Sequence, residues 1–302
     1  MEFVKFLRLS AFLALIFAVA CGLRGQPASA TFRPTLADEF SAGFTYSGKG
    51  DLSRGDAAAG EVSISRFDLS VAGRVPLSEA MVFIPGLAYS HTTLDASAGT
   101  FLPGSLQELT LSLGLRGFVS KEWGYLAALR PGFYGDSSHL DGKSFNAPLF
   151  LAALYAPSPD LAWTLGVTAN AFNNHPVLPV VGVRWKFATD WQLDVGFPRT
   201  AVSHRIDDQL TVRTGLSVLG GNYRVSENLG VPAPGINRLA NTFLDVTEVR
   251  AGVGAVYQFT GGPELEADLG LTTLRRFDYP DRNYRLSGDN VGWLSLALRQ
   301  KF

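Results

Sequence analysis

From Asp38 onward the chain alternates apolar and polar residues with period two, and no helical period takes hold. Residues 107–118 put Leu109, Leu111, Leu113 and Leu115 on one side, and Thr110, Ser112, Gly114 and Arg116 on the other. Residues 161–170 set Leu161, Trp163, Leu165 and Val167 against Ala162, Thr164, Gly166 and Thr168. Residues 180–187 and 191–197 repeat the pattern, with Val181, Val183, Trp185 and Phe187, then Trp191, Leu193, Val195 and Phe197, on the apolar sides. Side chains of a strand point alternately to its two faces, so each run is a strand with one apolar and one polar face.

Fourteen such segments can be marked: 38–47, 61–75, 81–92, 107–118, 123–133, 145–156, 161–171, 179–187, 191–198, 200–206, 209–219, 246–259, 264–274 and 290–302. Segment 200–206 is short and follows Pro198; without it and a neighbour the number is twelve. A soluble sandwich also alternates, so length and connections decide. The strands run to roughly nine to twelve residues, as a tilted bilayer-spanning strand requires. Tight turns at 76–80, 120–122, 157–160, 188–190, 207–208 and 260–263 alternate with long polar stretches at 48–60, 93–106, 134–144, 221–245 and 275–290. Short turns at one rim and long loops at the other are the layout of an antiparallel up-and-down transmembrane β-barrel. The predicted fold class is therefore all-β.

The aromatics fit that layout. Trp123, Trp163, Trp185, Trp191, Tyr257 and Phe302 fall beside short turns or at the chain end, as one membrane-interface ring. Phe40, Phe44, Tyr46, Tyr89, Phe133 and Tyr134 are expected in a second ring nearer the long loops.

Composition narrows the class. The 302 residues are 46% hydrophobic and only 18% charged, with one Cys and a formal net charge of -1, which disfavours a nucleic-acid partner. Residues 1–30 carry Lys5 and Arg8, then an unbroken apolar run, then Ala28, Ser29 and Ala30 in a small-x-small pattern. They read as a secretory signal peptide cleaved after Ala30, leaving 31–302 as the barrel domain. The alternative is a lipoprotein box over residues 18–21 with Cys21 lipidated and retained. Cleavage after Ala30 leaves 23 basic and 26 acidic side chains and no cysteine, so no disulfide, thiolate metal site or Cys nucleophile.

The export signal, the alternation and a final strand ending in LSLALRQKF resemble a Gram-negative outer-membrane β-barrel. That resemblance implies residence in the bacterial outer membrane, contact with its lipid and lipopolysaccharide, and recognition of the last strand by the barrel-assembly machinery through Phe302. The stretch VLPVVGVRWKFATDWQLDVGFPRTAVSHRIDDQLTV further resembles a family of outer-membrane barrels known only as a domain of unknown function. It carries no catalytic motif. Gln300 departs from the pattern, being polar on the lipid-facing register.

With the apolar faces toward lipid, the polar faces line the lumen. Small residues leave space there, and Arg116, Arg130, Arg184, Lys186, Asp194, Arg213 and Arg250 are the expected pore-lining charges, with Glu248, Glu264, Glu266, Asp268, Arg299 and Lys301 nearby. A tight turn at Thr189 sets Lys186 opposite Gln192 and Arg184 opposite Asp194, which predicts an ion pair inside the barrel. Loop 221–245 either folds inward to constrict the pore or stays on the surface. Asp278, Asp281 and Asp289, interleaved with Arg275, Arg276, Arg282 and Arg285, read as a solvated or lipopolysaccharide-facing rim.

Catalytic, metal and cofactor signatures are absent. His91, His139, His175 and His204 are scattered, and the adjacent Ser203 and His204 point to opposite faces of a strand. The reading is a passive channel or transporter for small or hydrophobic solutes, not an enzyme. The alternative is a non-conducting structural or surface-interaction barrel acting through its outer loops.

Overall fold

A computed structural model describes residues 35–137 and 140–302. The expected signal peptide and Cys21 lie outside the described residues. The strands are β1 (Thr35–Arg54), β2 (Ala57–Ser78), β3 (Met81–Ala96), β4 (Ser105–Phe118), β5 (Trp123–Leu129), β6 (Gly132–Asp136), β7 (Phe145–Asn146), β8 (Leu149–Ser158) and β9 (Leu161–Ala169). They continue as β10 (Val177–Ala188), β11 (Trp191–Val195), β12 (Arg199–Arg205), β13 (Leu210–Val225), β14 (Thr242–Gln258), β15 (Glu264–Tyr279), β16 (Tyr284–Gly288) and β17 (Gly292–Lys301). Three wall strands are interrupted, β5 into β6, β7 into β8 and β16 into β17, so the wall has fourteen strands.

The antiparallel sheet closes on itself. β17 pairs with β1 from Glu39 opposite Lys301 to Ser47 opposite Trp293, and Phe302 N–H donates to Asp38 O at 2.9 Å. Closure leaves no edge along that seam for lipid to strand. The apolar faces look outward: Leu111, Leu165, Val181, Val253, Leu269 and Leu296 are all exposed. A surface of this kind suits hydrocarbon rather than water.

Above the apolar belt, toward the long loops, the alternation changes phase. On β2, Phe67, Leu69 and Val71 share the outer register, whereas Val62 and Ile64 turn inward and are buried. On β14, Val253 is outward and exposed, while Leu244 and Val246 are inward and buried. Strands therefore run on into segments expected as loops: β1 to Arg54, β13 to Val225 and β15 to Tyr279. Their polar residues are outer faces of strands that have left the membrane, where water replaces lipid.

The long-loop end is a second, smaller ring. Among the described residues, only β1, β2, β3, β4, β6, β13, β14, β15 and β16 reach it, and it closes where Arg224 of β13 pairs in parallel with Gly135 of β6. Asp136 locks that seam by accepting from the backbone N–H groups of Ser226 and Glu227 at 3.2 and 2.8 Å. A ring of this size fills with side chains. Leu52, Val62, Ile64, Leu94, Leu106, Val225, Leu244, Phe277, Tyr279 and Leu286 pack its inside, joined by Leu102 and Leu239 from the connecting loops. Leu239 is 0% exposed, so loop 226–241 folds inward and caps the barrel.

The second aromatic ring differs from the one expected. Tyr134 points inward, its hydroxyl donating to Arg130 O at 2.8 Å, and Phe40 lies opposite Gln300 close to the short-turn end. Tyr46 and Phe133 do face outward. Proximity to a long loop in sequence does not set height, because these strands climb well past the membrane.

Candidate solute path

Beneath the apolar core lies a layer of buried charge. Glu248 accepts from Arg275 Nε at 2.8 Å and from Arg250 Nη2 at 2.5 Å, and Ser47 Oγ donates to it at 3.0 Å. Arg275 Nη1 also donates to the carbonyl oxygens of Val62 and Gly48, and the Arg250 guanidinium lies 5.1 Å from the Trp293 ring centroid. Across the barrel, Arg66 Nε donates to Asp68 at 2.9 Å, and Arg66 Nη1 lies 3.5 Å from Glu108. Tyr223 O–H donates to that same Glu108 at 2.6 Å. Core and charge layer together shut the barrel axis toward the long loops.

Two expectations are corrected here. Arg250, expected on an open pore wall, is 3% exposed and belongs to this roof. Arg275, expected in a solvated rim, is fully buried, because β15 extends through Tyr279 and carries it inward. The signal for the roof was present in sequence: Arg66 with Asp68, and Glu248 with Arg250, are opposite charges two residues apart and therefore on one face of a strand.

Below the roof the lumen is open. A cavity of about 530 Å³ is lined by Arg116, Arg184, Asp194, Arg199 and Arg213 among others. Arg184 Nε meets Asp194 at 2.8 Å in the register expected, with Lys186 opposite Gln192. Arg213 donates to Asp268 at 2.7 Å and is bonded to Glu266, which Arg199 also reaches at 3.2 Å. Arg299 joins Glu264 at 2.9 Å and Glu39 at 3.3 Å. Arg116 sits with its guanidinium 5.4 Å from the Phe118 ring centroid, and Arg130 lines a separate cavity of about 200 Å³.

The short-turn aromatics ring the outside. Trp123, Trp163, Trp185, Trp191 and Phe302 are exposed, and Tyr257 stands edge-on to Phe259 at 4.9 Å between centroids. His204 stacks outward on Trp191 at 4.3 Å, while Ser203 lies on the other face opposite Gln192. No cluster of His, Cys, Asp and Glu fit for a metal ion occurs among the described residues.

One side of the wall is interrupted. Lys186 N–H donates to Asp160 O on the β9 side at 2.8 Å, so the odd-numbered residues of β10 present their backbone to the opposite edge. β11 meets that edge only as far as Val183, opposite Val195. Above it, Val177, Pro179 and Val181 have no strand beside them among the described residues. Pro179 has no N–H to leave unpaired, which suits a free edge. The facing edge belongs to β13. Val218 N–H donates to Pro198 O at 2.8 Å, and above it Gly220 and Asn222 pair only with β14.

The two free edges overlap like a scroll. Asn170, at the end of β9, donates to Asn222 at 2.9 Å and accepts from Asn146 at 2.7 Å, and Asn222 donates to Asp245 at 2.6 Å. This amide ladder bounds the gap above, and the turn at residues 196–198 bounds it below. Free backbone edges beside exposed Val177 and Val181 are costly in hydrocarbon unless water or a solute occupies the gap.

No functionally curated protein matches the chain by sequence. An outer-membrane channel from Pseudomonas putida F1 superposes with a TM-score of 0.51 at 13% identity, covering 92% of this chain and 100% of that one. A FadL homologue from Pseudomonas aeruginosa gives 0.46 at 12% identity, over 88% of this chain and 90% of the other. The toluene transporter TodX of P. putida gives 0.40 at 11%, over 88% and 90%. The first of these likenesses identifies the fold as that of an outer-membrane β-barrel. The profile of one sequence family, described as a domain of unknown function (DUF6268), matches residues 51–287, and the chain belongs to that family.

Proposed function

We propose that the protein is a passive channel of the bacterial outer membrane whose solutes, small and apolar or amphipathic, cross through the side of the wall. The observation that carries this reading is the pair of facing free edges on β10 and β13 in a barrel whose axis is filled at the long-loop end. A lumen open below and shut above needs a side exit for anything to traverse it. The gap supplies one, flanked by exposed Val177 and Val181. Apolar solutes fit such a gap because they gain by moving between its walls and lipid, whereas ions do not.

The experiment bridges the gap. Val181→Cys with Val218→Cys, joined by a bismaleimide, ties the two edges together outside the charge layer. Gram-negative cells expressing the parent barrel are expected to take up the apolar dye N-phenylnaphthylamine faster than vector controls. Bridging the double variant is expected to abolish the gain, with each single-cysteine variant treated alike as control. Uptake that persists after bridging is verified on a gel overturns the side route. In planar bilayers the filled outer ring predicts no large porin-like conductance steps, and their appearance argues for an axial pore.

A further inference from the structure

The cavity of about 200 Å³ under the roof is set apart from the side gap and carries an unused chemistry. Four inward residues on neighbouring strands run across it: Asp68 on β2, Ser90 on β3, Thr110 on β4, and Arg130 at the break between β5 and β6. At the Asp68 end, Arg66 lies against two carboxylates, Asp68 and Glu108, and the Asp68 carboxylate keeps 42% of its side chain exposed. At the other end Arg130 is exposed to the cavity and has no carboxylate within 4.0 Å among the described residues. Its backbone is fixed, the N–H donating to Pro148 O at 2.9 Å and the carbonyl accepting from Tyr134 O–H at 2.8 Å.

Between these ends, Ser90 Oγ and Thr110 Oγ1 are buried and have no hydrogen-bond partner among the described residues. An unsatisfied buried hydroxyl costs on the order of 1–3 kcal/mol, so a pair of diagonal neighbours left open in one cavity calls for a ligand atom or water. Strands lie roughly 4.8 Å apart, so Asp68 and Arg130 stand about three strand spacings apart at the backbone.

We propose that this cavity binds a small zwitterion, a molecule bearing one ammonium and one carboxylate a few carbon atoms apart, of the amino-acid class. The carboxylate lies on Arg130 and accepts from Thr110. The ammonium donates to Asp68 and to Ser90 Oγ. A simple anion puts no donor on the exposed Asp68 carboxylate, and a simple cation leaves Arg130 unpaired. The site shares no lining residue with the side gap and does not rest on the side route.

The test is equilibrium binding to the barrel folded in detergent, which needs no transport. The probes are 4-aminobutyrate, butyrate and butylamine, read by ligand-observed NMR. We expect 4-aminobutyrate to bind at least tenfold more tightly than either singly charged probe. Arg130→Gln is expected to lower its affinity to that of butylamine while leaving butylamine unchanged. Ser90→Ala and Thr110→Ala each weaken it several-fold, and heat-shifted gel migration verifies that every variant is folded. Equal binding of butyrate and 4-aminobutyrate, or a folded Arg130→Gln that binds as the parent does, overturns the proposal. A barrel that binds the zwitterion but passes no dye removes the channel reading and leaves the site intact. One that passes dye without binding does the reverse.

Discussion

Arg275 donates from Nε to Glu248 across 2.8 Å, and solvent reaches neither side chain. Glu248 thereby holds two guanidinium groups, since Arg250 bonds its other oxygen. Removing the single anion leaves two buried cations facing each other, which for a buried ion network costs roughly 3–5 kcal/mol. Glu248→Gln keeps the shape and discards the charge, so its expected effect is a large loss in urea unfolding of the folded barrel. Replacing Glu248, Arg250 and Arg275 together by Met is expected to recover most of that loss, because the desolvation cost disappears with the charges. A Glu248→Gln variant within about 1 kcal/mol of the parent would show that water reaches the cluster.

Leu269 faces outward on β15, five residues above Glu264 at the short-turn end, and is 61% exposed. Thr164 on β9 faces inward, opposite Gly182. A charge at mid-membrane on the lipid face of a barrel costs roughly 2–4 kcal/mol, whereas one in a hydrated lumen is solvated. Leu269→Arg is therefore expected to lower unfolding stability by that amount, with Thr164→Arg close to the parent. Unfolding titrations in lipid vesicles check both. Equal losses at the two sites would mean that the apolar face does not contact lipid.

The wall was legible in the sequence because lipid imposes one rule along every strand. Leu109 to Leu115 and Trp185 with Leu193 are outward for the same reason, and the Arg184 to Asp194 pairing followed from one tight turn. The outer ring was not legible, because that rule reverses once strands leave the membrane. Val62, Leu244 and Phe277 then look like scattered apolar residues in polar stretches. Arg250 was misplaced for another reason: its inward register was right, but burial depends on loop 226–241, whose Leu239 seals the ring from a distance no local pattern records. The gap between β10 and β13 was also beyond reach, since it depends on β13 pairing with β6. Only Pro179 hinted at a free edge.

Asp245 stands above the apolar belt, and burial, with smaller contributions from Asp278 and Asp281, pushes its carboxyl up to about 6, while the amide of Asn222 opposes the shift. The folded state therefore binds this proton more tightly than the unfolded chain, whose carboxyl titrates near about 4. The resulting stabilisation is fully present below that value and is lost as pH rises through 6. Allowing for partial solvent screening, it amounts to about 1–2 kcal/mol. Asp245→Asn keeps the hydrogen-bonding amide ladder to Asn222 and removes the titration, because an amide accepts as the protonated acid does. Asp245→Asn is expected to match the parent in urea unfolding at pH 4 and to exceed it at pH 7.5, with the difference opening between those values. A gain of equal size at both pH values would assign the effect to packing rather than to charge, and a loss at pH 7.5 would mean that the ionised carboxylate is what holds Asn222 against Asn170.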